Sequence, residues 1–158
     1  MSERQELVSI RAARPEDGPA ILAMLADLAF FEGAIHAPRL DAAALARDVF
    51  GPSPKLNIVI AEQMAANQCR RIVGCISYFP NYSSWEGRTG IHIGDLWVSP
   101  SLRGHGVGSA LLRNVVSENE GIRIDVFVVG KSEARLFYEK FGFREQTKWR
   151  LYRVETDE

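Results

Sequence analysis

Several features that mark particular classes of protein are scarce in this sequence. Its 158 residues include only two cysteines, Cys69 and Cys75, which belong neither to a C-x-x-C pair nor to a metal-ligand cluster. We therefore expect no disulfide framework and no bound metal. Because Cys75 stands inside the apolar run Ile72–Ile76, we interpret it as an inert thiol packed in the core rather than as a nucleophile.

Long runs of one residue type are also missing. The formal net charge is -1, and no Lys/Arg run is long enough to bind a polyanion, which argues against a nucleic-acid partner. Apolar runs such as Ile21–Leu28 are interrupted by Asp27 or are too short to cross a bilayer, and Met1–Glu6 lacks the apolar segment of a signal peptide. We expect a cytoplasmic protein without a membrane partner.

The remaining composition is that of a globular protein. Apolar residues make up 46% and charged residues 25% of the chain. A chain of this length buries roughly two-thirds of the surface that its unfolded form exposes. We therefore expect a single domain over residues 1–158.

Strand and helix signals alternate along the chain in the order β-α-α-β-β-β-α-β-α-β, which predicts an α/β fold. The strand predictions are rich in β-branched and aromatic residues and cover 7–13, 56–62, 71–79, 91–98, 122–129 and 143–154. The helix predictions follow the turn at 14–19, span 40–50, begin at 108 and span 134–141. Leu111, Leu112 and Val115 form the apolar stripe of the third helix, and Gly142 is predicted to cap the fourth. The segment 81–90 is predicted to be a polar connection.

A glycine-rich loop lies between a predicted strand and a predicted helix, and it reads Arg103-Gly104-His105-Gly106-Val107-Gly108-Ser109. Its glycines allow backbone N–H groups near the helix N-terminus to converge on an anion such as a pyrophosphate. No Gly-Lys-Ser/Thr follows, and Ser109 stands where a dinucleotide-binding Gly-x-Gly-x-x-Gly needs its third glycine. Taken alone, the loop could also be an ordinary turn.

Three segments, in this order along the chain, resemble the GNAT acetyltransferase family. They are Asp95–Pro100, the Arg-x-x-Gly-x-Gly loop beginning at Arg103, and Ala134–Phe143, which contains Leu-Phe-Tyr-Glu-Lys-Phe-Gly. The segments Asn81–Gly90 and Trp149–Tyr152 are similar to the branch of the family that acetylates diamines (spermidine and spermine) and thialysine. The resemblance spans nearly the whole chain. It implies a mixed central β-sheet with splayed central strands, flanked by helices.

The resemblance also implies an activity and a cosubstrate. The enzyme would move an acetyl group from acetyl-coenzyme A to a primary amine of a small molecule, by direct attack in a ternary complex. The loop Arg103–Ser109 would hold the pyrophosphate through main-chain amides, and the backbone of Leu96, Trp97 and Val98 would pair with the pantetheine arm like an added strand. Lys131 stands where many members carry an Asn that contacts the cofactor, although a solvated residue at a helix start is the alternative.

Amine acetylation requires groups that bind an ammonium ion, remove its proton and stabilise the developing charges. Asp95 and Glu32 are our candidates for attracting the cation and passing its proton to water, although Glu32 could equally be a solvated carboxylate at a helix end. The Val98 amide could stabilise the oxyanion. Tyr138 resembles the general acid of the family, and a phenol with a reference pKa of about 10 is protonated at neutral pH. Its alternative role is core packing.

Aromatic and imidazole side chains supply further candidates. Trp85 and Trp149 are predicted on the substrate side, where they would contact an alkylammonium chain, with core or interface packing as the alternative. His92 and His105 are interpreted as structural or solvated rather than as catalytic bases.

The chain departs from the diamine branch at two acidic positions. Gly94 precedes Asp95 where the branch commonly has two consecutive acids, and Ser83 replaces another acid before the tryptophan. Fewer negative charges weaken the capture of a polycation. A mono-amine or an amino-acid side chain such as thialysine remains open as the acceptor.

Two rival functions and one rival mechanism remain open. The chain could be a non-catalytic acyl-CoA-binding sensor or interaction domain, or it could acetylate protein N-termini or lysines. If Cys75 carried the acyl group, kinetics would be ping-pong. The family resemblance also suggests a homodimer.

Overall fold

A computed structural model describes residues 7–130 and 132–156 of the chain. The described residues form two compact units, a larger one that ends at Phe127 and a smaller one that begins at Val128. The prediction of a single domain is untested by this division, and each unit is described separately below.

The larger unit contains a five-stranded sheet in which the strands follow one another in chain order. They are β1 (Val8–Ala12), β2 (Asn57–Met64), β3 (Arg70–Ser83), β4 (Arg88–Val98) and β5 (Ile124–Val126). The first four strands pair antiparallel, whereas β4 and β5 pair in parallel. The predicted mixed sheet is confirmed.

Helices of the larger unit cover both faces of this sheet. They are α1 (Gly18–Phe31), α2 (Ala42–Asp48) and α3 (Val107–Glu118), with short 3-10 turns at Pro15–Asp17 and Pro100–Leu102. Asp41 caps α2, because its side chain accepts a hydrogen bond of 2.8 Å from the amide of Ala44. The smaller unit contains α4 (Ala134–Lys140), after which Gly142 adopts a φ of 89°, as its predicted cap position requires.

The core lies on both sides of β3, whose successive side chains point to opposite faces. One face carries a cluster from both first helices and the sheet, comprising Ile21, Met24, Leu45, Ile58, Ile60, Cys75 and Trp97. On the other face α3 packs so closely that a Cβ on Gly74 would lie 3.2 Å from Leu111 Cδ1. The apolar stripe predicted for α3 is fully buried at Leu111, Leu112 and Val115.

Three predicted boundaries are wrong. The polar connection at 81–90 is mostly strand, and only a turn at 84–87 separates β3 from β4. The strand predicted over 122–129 is limited to Ile124–Val126. The strand predicted over 143–154 is absent, since the described residues 143–156 form no strand ladder. An alternating sequence becomes a strand only when its backbone finds a partner.

A search of the described residues finds no helix long and apolar enough to cross a membrane. It also finds no group of three or more His, Cys, Asp or Glu residues that could hold a metal ion, again within residues 7–130 and 132–156.

Candidate functional site

The glycine-rich loop forms the N-terminal entrance of α3. Gly104 and Gly106 adopt φ values of 76° and 85°, which favour glycine, and Gly106 is the residue immediately before the helix. Its carbonyl already accepts the amide of Ala110 at 2.9 Å. The amides of the first helical turn, Val107 to Ser109, have no partner within the helix and are available to an anion.

His105 stabilises the loop from within. Its ring nitrogen Nδ1 lies 2.9 Å from the carbonyl oxygen of Arg103, while the side chain is exposed. This contact agrees with the structural role predicted for His105.

The side chain of Arg103 joins the loop to the end of α1. Its guanidinium carbon lies 4.8 Å from the ring centre of Phe31 and 4.3 Å from that of Trp97. Its Nε donates a 3.0 Å hydrogen bond to the carbonyl of Val98. Arg103, Phe31 and Trp97 line a surface cavity of about 310 Å³ together with Asp27, Phe30 and Pro100. Arg103 therefore holds the loop against the end of β4 through its side chain.

The second half of β4 is open on one side. The ladder to β5 covers only Ile91–Ile93, so within the described residues Gly94–Val98 has no strand partner on that side. On the other side, the amide of Ser99 bonds the carbonyl of Val73 at 2.8 Å, and the register pairs Val98 with Gly74. Because hydrogen-bonded and non-bonded pairs alternate in an antiparallel ladder, the backbone groups of Leu96 and Val98 point toward the open side.

Trp97 differs from these two neighbours. By the same alternation its backbone groups face Cys75 on β3, and its side chain is buried in the core with 6% exposure. Leu96 and Val98, two of the three residues predicted to pair with a pantetheine arm, therefore turn their backbone toward the open side, where the Val98 carbonyl accepts from Arg103 Nε. Trp97 supports them from the core.

Asp95 lies in a β-bulge at the start of this open half. The register moves from Tyr78 opposite Ile93 to Ile76 opposite Leu96, so Gly94 and Asp95 both oppose Ser77. The Ser77 hydroxyl accepts a bond of 2.9 Å from the Asp95 amide and donates one of 2.7 Å to its carboxylate. A Cβ at position 94 would lie 2.9 Å from the same hydroxyl oxygen. The bulge fixes where the Asp95 carboxylate points.

Cys75 is buried beside this bulge, with 3% of its surface exposed. Burial, and secondarily the charge of Asp95, raises the pKa of its thiol to about 12. Since the thiolate is the nucleophilic form, this position agrees with the interpretation of Cys75 as an inert core residue.

The other substrate-side candidates of the larger unit are exposed. Glu32 directly follows α1, where its amide bonds the carbonyl of Leu28 at 2.9 Å. Trp85 lies in the turn between β3 and β4 and is 96% exposed. The structure contains no contact that assigns either residue to a substrate, so both roles stay predictions.

Two candidates belong to the smaller unit. The ring of Tyr138 is buried, with edge contacts to Phe137 at 5.2 Å and to Phe143 at 5.4 Å. Trp149 is 70% exposed. Lys131 lies outside the described residues.

Two residues that support the site were not predicted from the sequence. Ser77 orients Asp95, and Phe31 packs against Arg103 and lies 5.9 Å from the Trp97 ring. Ser77 is a polar residue at a position of β3 where the strand pattern favours an apolar one, and this alone is only a weak sign of a functional role. The bulge that makes Ser77 important depends on pairing with a distant strand.

Comparison with known proteins agrees with this geometry. A family model described as an acetyltransferase (GNAT) domain matches residues 54–145. A thialysine N-epsilon-acetyltransferase of Mus musculus is 32% identical over 92% of this chain and 91% of its own length. The crystal structure of a probable acetyltransferase shares the fold with a TM-score of 0.75 at 21% identity, covering 95% and 99% of the two chains.

A predicted acetyltransferase from Clostridium acetobutylicum, solved with acetyl-CoA, shares the fold with a TM-score of 0.70 at 19% identity over 93% of this chain and 96% of that one. The fold and these matches define an acyltransferase enzyme. The chain belongs to the GNAT acetyltransferase family, whose members use acetyl-CoA.

Proposed function

We propose that this enzyme transfers an acetyl group from acetyl-CoA to a primary amine of a small molecule, with both substrates bound together. The observation that carries the proposal is the open side of β4. There the amide and carbonyl of Leu96 and the amide of Val98 face the open side, between the Asp95 bulge and the amides of the glycine-rich loop. The same stretch of chain thus offers an extended backbone, an anion site and a carboxylate.

Acetyl-CoA fits the residues that are present. Its pyrophosphate suits the amides at the N-terminus of α3, and its pantetheine arm suits the exposed backbone of Leu96 and Val98, as a peptide suits a sheet edge. When bound, it supplies an acetyl thioester, which is activated for attack by an amine. Lys131 is proposed as an additional phosphate contact.

Asp95 is proposed to prepare the amine. Its carboxylate attracts the ammonium ion and accepts or relays the proton to water, which frees the nitrogen lone pair for attack on the acetyl carbon. Ser77 holds the carboxylate in one orientation through its 2.7 Å bond. Glu32 is proposed to add negative charge at the entrance, and Trp85 and Trp149 to contact the alkyl part of the amine. The C–N bond forms as the C–S bond breaks.

Two further groups are proposed to stabilise charge during transfer. The Val98 amide would donate to the carbonyl oxygen as negative charge develops there. Tyr138 would protonate the departing thiolate, a role that rests on its place in the Leu-Phe-Tyr-Glu-Lys-Phe-Gly segment. A cytoplasmic location and a homodimer also stay predictions.

The decisive experiment measures coenzyme A release from acetyl-CoA with a panel of amines, alongside calorimetry of coenzyme A binding. We expect release with at least one amine and measurable cofactor binding. Replacing Tyr138 with Phe should lower kcat by about 100-fold while the cofactor Kd stays unchanged. No heat of binding with coenzyme A would refute the proposed function, whereas full activity of Tyr138→Phe would remove only Tyr138.

A further inference from the structure

A mixed-charge cluster lies on the sheet at the other end of the β4–β5 ladder from the bulge. Arg123 Nε lies 2.9 Å from Asp125 Oδ2, and Arg123 Nη2 lies 3.4 Å from Asn81 Oδ1. Asn81 Nδ2 in turn lies 3.4 Å from Asp125 Oδ2. Arg123 Nη1 also lies 3.7 Å from Glu86 Oε1, in the turn between β3 and β4. The side chains of Arg123 and Asp125 keep 34% and 40% exposure, so both remain accessible to solvent. We call Asn81, Arg123 and Asp125 the mixed-charge cluster.

The cluster depends on a missing side chain at Gly90. A Cβ at this position would lie 2.7 Å from Asn81 Oδ1 and 2.8 Å from the Arg123 carbonyl oxygen. Any larger residue would therefore push the Asn81 amide out of the cluster. The glycine is explained by this close approach, since its backbone is in an ordinary strand.

The cluster shares a sheet face with Asp95. Asp125 is the strand partner of His92, which is the partner of Phe79, and Phe79 lies two residues from Ser77 on the same strand. Partners across strands and residues two apart along a strand point to one face. Asp95 bonds Ser77 on this face and lies three residues beyond His92, which corresponds to roughly 10 Å along the strand.

Three rings occupy the interval between the two charged sites. The His92 ring centre lies 5.1 Å from that of Phe79 and 4.4 Å from that of Phe127, and both phenylalanines are exposed, by 38% and 67%. Burial lowers the pKa of His92, with a smaller opposing effect from Asp125, so the imidazole is neutral at neutral pH. The row is therefore an apolar surface suited to methylene groups.

This arrangement distinguishes two kinds of acceptor. A diamine carries only cations, so its far ammonium could pair with Asp125 or Glu86 but would give the Arg123 guanidinium no carboxylate. An α-amino acid carries a carboxylate for the Arg123 guanidinium and an ammonium for Asp125. A side chain of five bonds from Cα to its amine extends about 6 Å. The ligand's carboxylate and the side chains of Asp95 and Arg123 span the rest of the roughly 10 Å between the two sites.

We propose that Asn81, Arg123 and Asp125 bind the α-amino and carboxylate groups of an amino-acid acceptor, whose side-chain amine is acetylated beside Asp95. This inference rests on the proposed function and names its substrate class. The Phe79–His92–Phe127 row contacts the methylene groups between the two ends. The two departures from the diamine branch, at Gly94 and Ser83, remove acids that a polycation would use, which agrees with an amino-acid acceptor.

The test compares amines that differ only by a carboxylate, namely L-lysine with 1,5-diaminopentane and L-ornithine with 1,4-diaminobutane. The wild-type enzyme should show a kcat/KM for the amino acid that is roughly 10- to 100-fold above that for its decarboxylated partner. Arg123→Gln should abolish this preference by lowering the amino-acid value alone, while the KM for acetyl-CoA stays unchanged. Arg123→Lys, which retains the charge, should keep part of the preference.

Arg88→Gln is the matched control. This substitution removes the same charge from a neighbouring arginine with 56% exposure. Like Arg123, Arg88 lies 3.7 Å from Glu86. The Arg88→Gln variant should retain the preference. Equal kcat/KM of the wild type for the two amines would overturn the inference. An equal loss of the amino-acid preference in Arg123→Gln and in Arg88→Gln would also overturn it. If Arg123→Gln does not fold, a full preference in folded Arg123→Lys together with an unaltered amino-acid KM would also overturn it.

A binding measurement separates this inference from the proposed function. With coenzyme A present, L-lysine should raise the Tm of the wild type more than 1,5-diaminopentane does. If the protein binds coenzyme A and acetylates diamines but L-lysine raises the Tm no more than 1,5-diaminopentane does, the amino-acid subsite is refuted and the acetyltransferase function is retained. Absence of coenzyme A binding would instead sink the proposed function.

Discussion

Carboxylates at two places on the sheet are held in opposite ways. At β1 and β2, Asp17 and Glu62 are both buried and both bonded to Arg11, at 2.8 and 2.6 Å. In the β4 bulge, Asp95 is bonded to the neutral hydroxyl of Ser77, and no Lys or Arg nitrogen of the described residues lies within 4 Å of its carboxylate. The first pair is neutralised within the fold, whereas Asp95 keeps a charge that a cation can use.

The difference separates two acids that stabilise the fold from the acid that is proposed to act on the amine. Arg11 holds the pKa values of Asp17 and Glu62 below their usual range, chiefly through its side-chain hydrogen bonds and against the cost of burial. Buried charges need such partners because water no longer solvates them. At Asp95 the partner is a neutral hydroxyl, so no guanidinium competes there with an incoming ammonium ion, whereas Arg11 already occupies the buried Asp17 and Glu62.

Removal of Arg11 should produce the largest effect on the structural side of this comparison. Arg11→Met removes the salt bridge of the buried Asp17 and the shorter of the two at Glu62, which keeps Arg70 at 3.2 Å. This change should lower the free energy of unfolding by about 3 kcal/mol. Urea denaturation measures this loss, and kcat of the folded fraction should stay unchanged. Arg47→Met, which removes the exposed partner of Asp48, is the control and should change stability much less.

Acid denaturation should reveal the contribution of the ion pairs that Arg11 forms with Asp17 and Glu62. Because the folded pKa values of Asp17 and Glu62 lie below 3.8 and 4.5, their contribution is fully present above about pH 4.5 and is lost as pH falls through the lowered values. This loss should be weaker in Arg11→Met. An identical acid profile for both proteins would contradict the role of Arg11.

Asp95→Asn should produce the largest effect on the functional side. The amide keeps the shape and can still accept from Ser77, so the free energy of unfolding should change little. It cannot take a proton from the amine, and kcat/KM for the amine should fall by about 100-fold while the coenzyme A Kd stays constant. Glu62→Gln should give the reverse pattern, with lower stability and retained kcat. The same pattern in both variants would erase the distinction drawn here.

Cys75→Ala should produce the smallest effect. The buried thiol of high pKa has no part in direct transfer, so kcat should remain near that of the wild type, with a stability loss of about 1 kcal/mol. Mass spectrometry of the enzyme with acetyl-CoA should show no acetylated cysteine. Loss of turnover together with an acetyl-enzyme would instead support the ping-pong alternative.

Much of the architecture was predictable because it depends on local patterns. The stripe at Leu111, Leu112 and Val115 predicted α3 and its buried face, and the glycines of the loop predicted a turn into that helix. The final strand at 143–154 was predicted wrongly for the same reason. Alternation and aromatic content describe a segment that is able to pair, and pairing itself depends on other parts of the chain.

By itself, the sequence determined the helices, most strands, the glycine-rich turn into α3 and the burial of Cys75, since each follows from spacing over a few residues. Only the tertiary structure decided that Gly94 and Asp95 share one partner, that Leu96 and Val98 face an open side, and that Asn81 meets residues 42 and 44 positions away. Strand register and the point where the β4–β5 ladder ends are set by contacts distant in sequence, which no local pattern encodes.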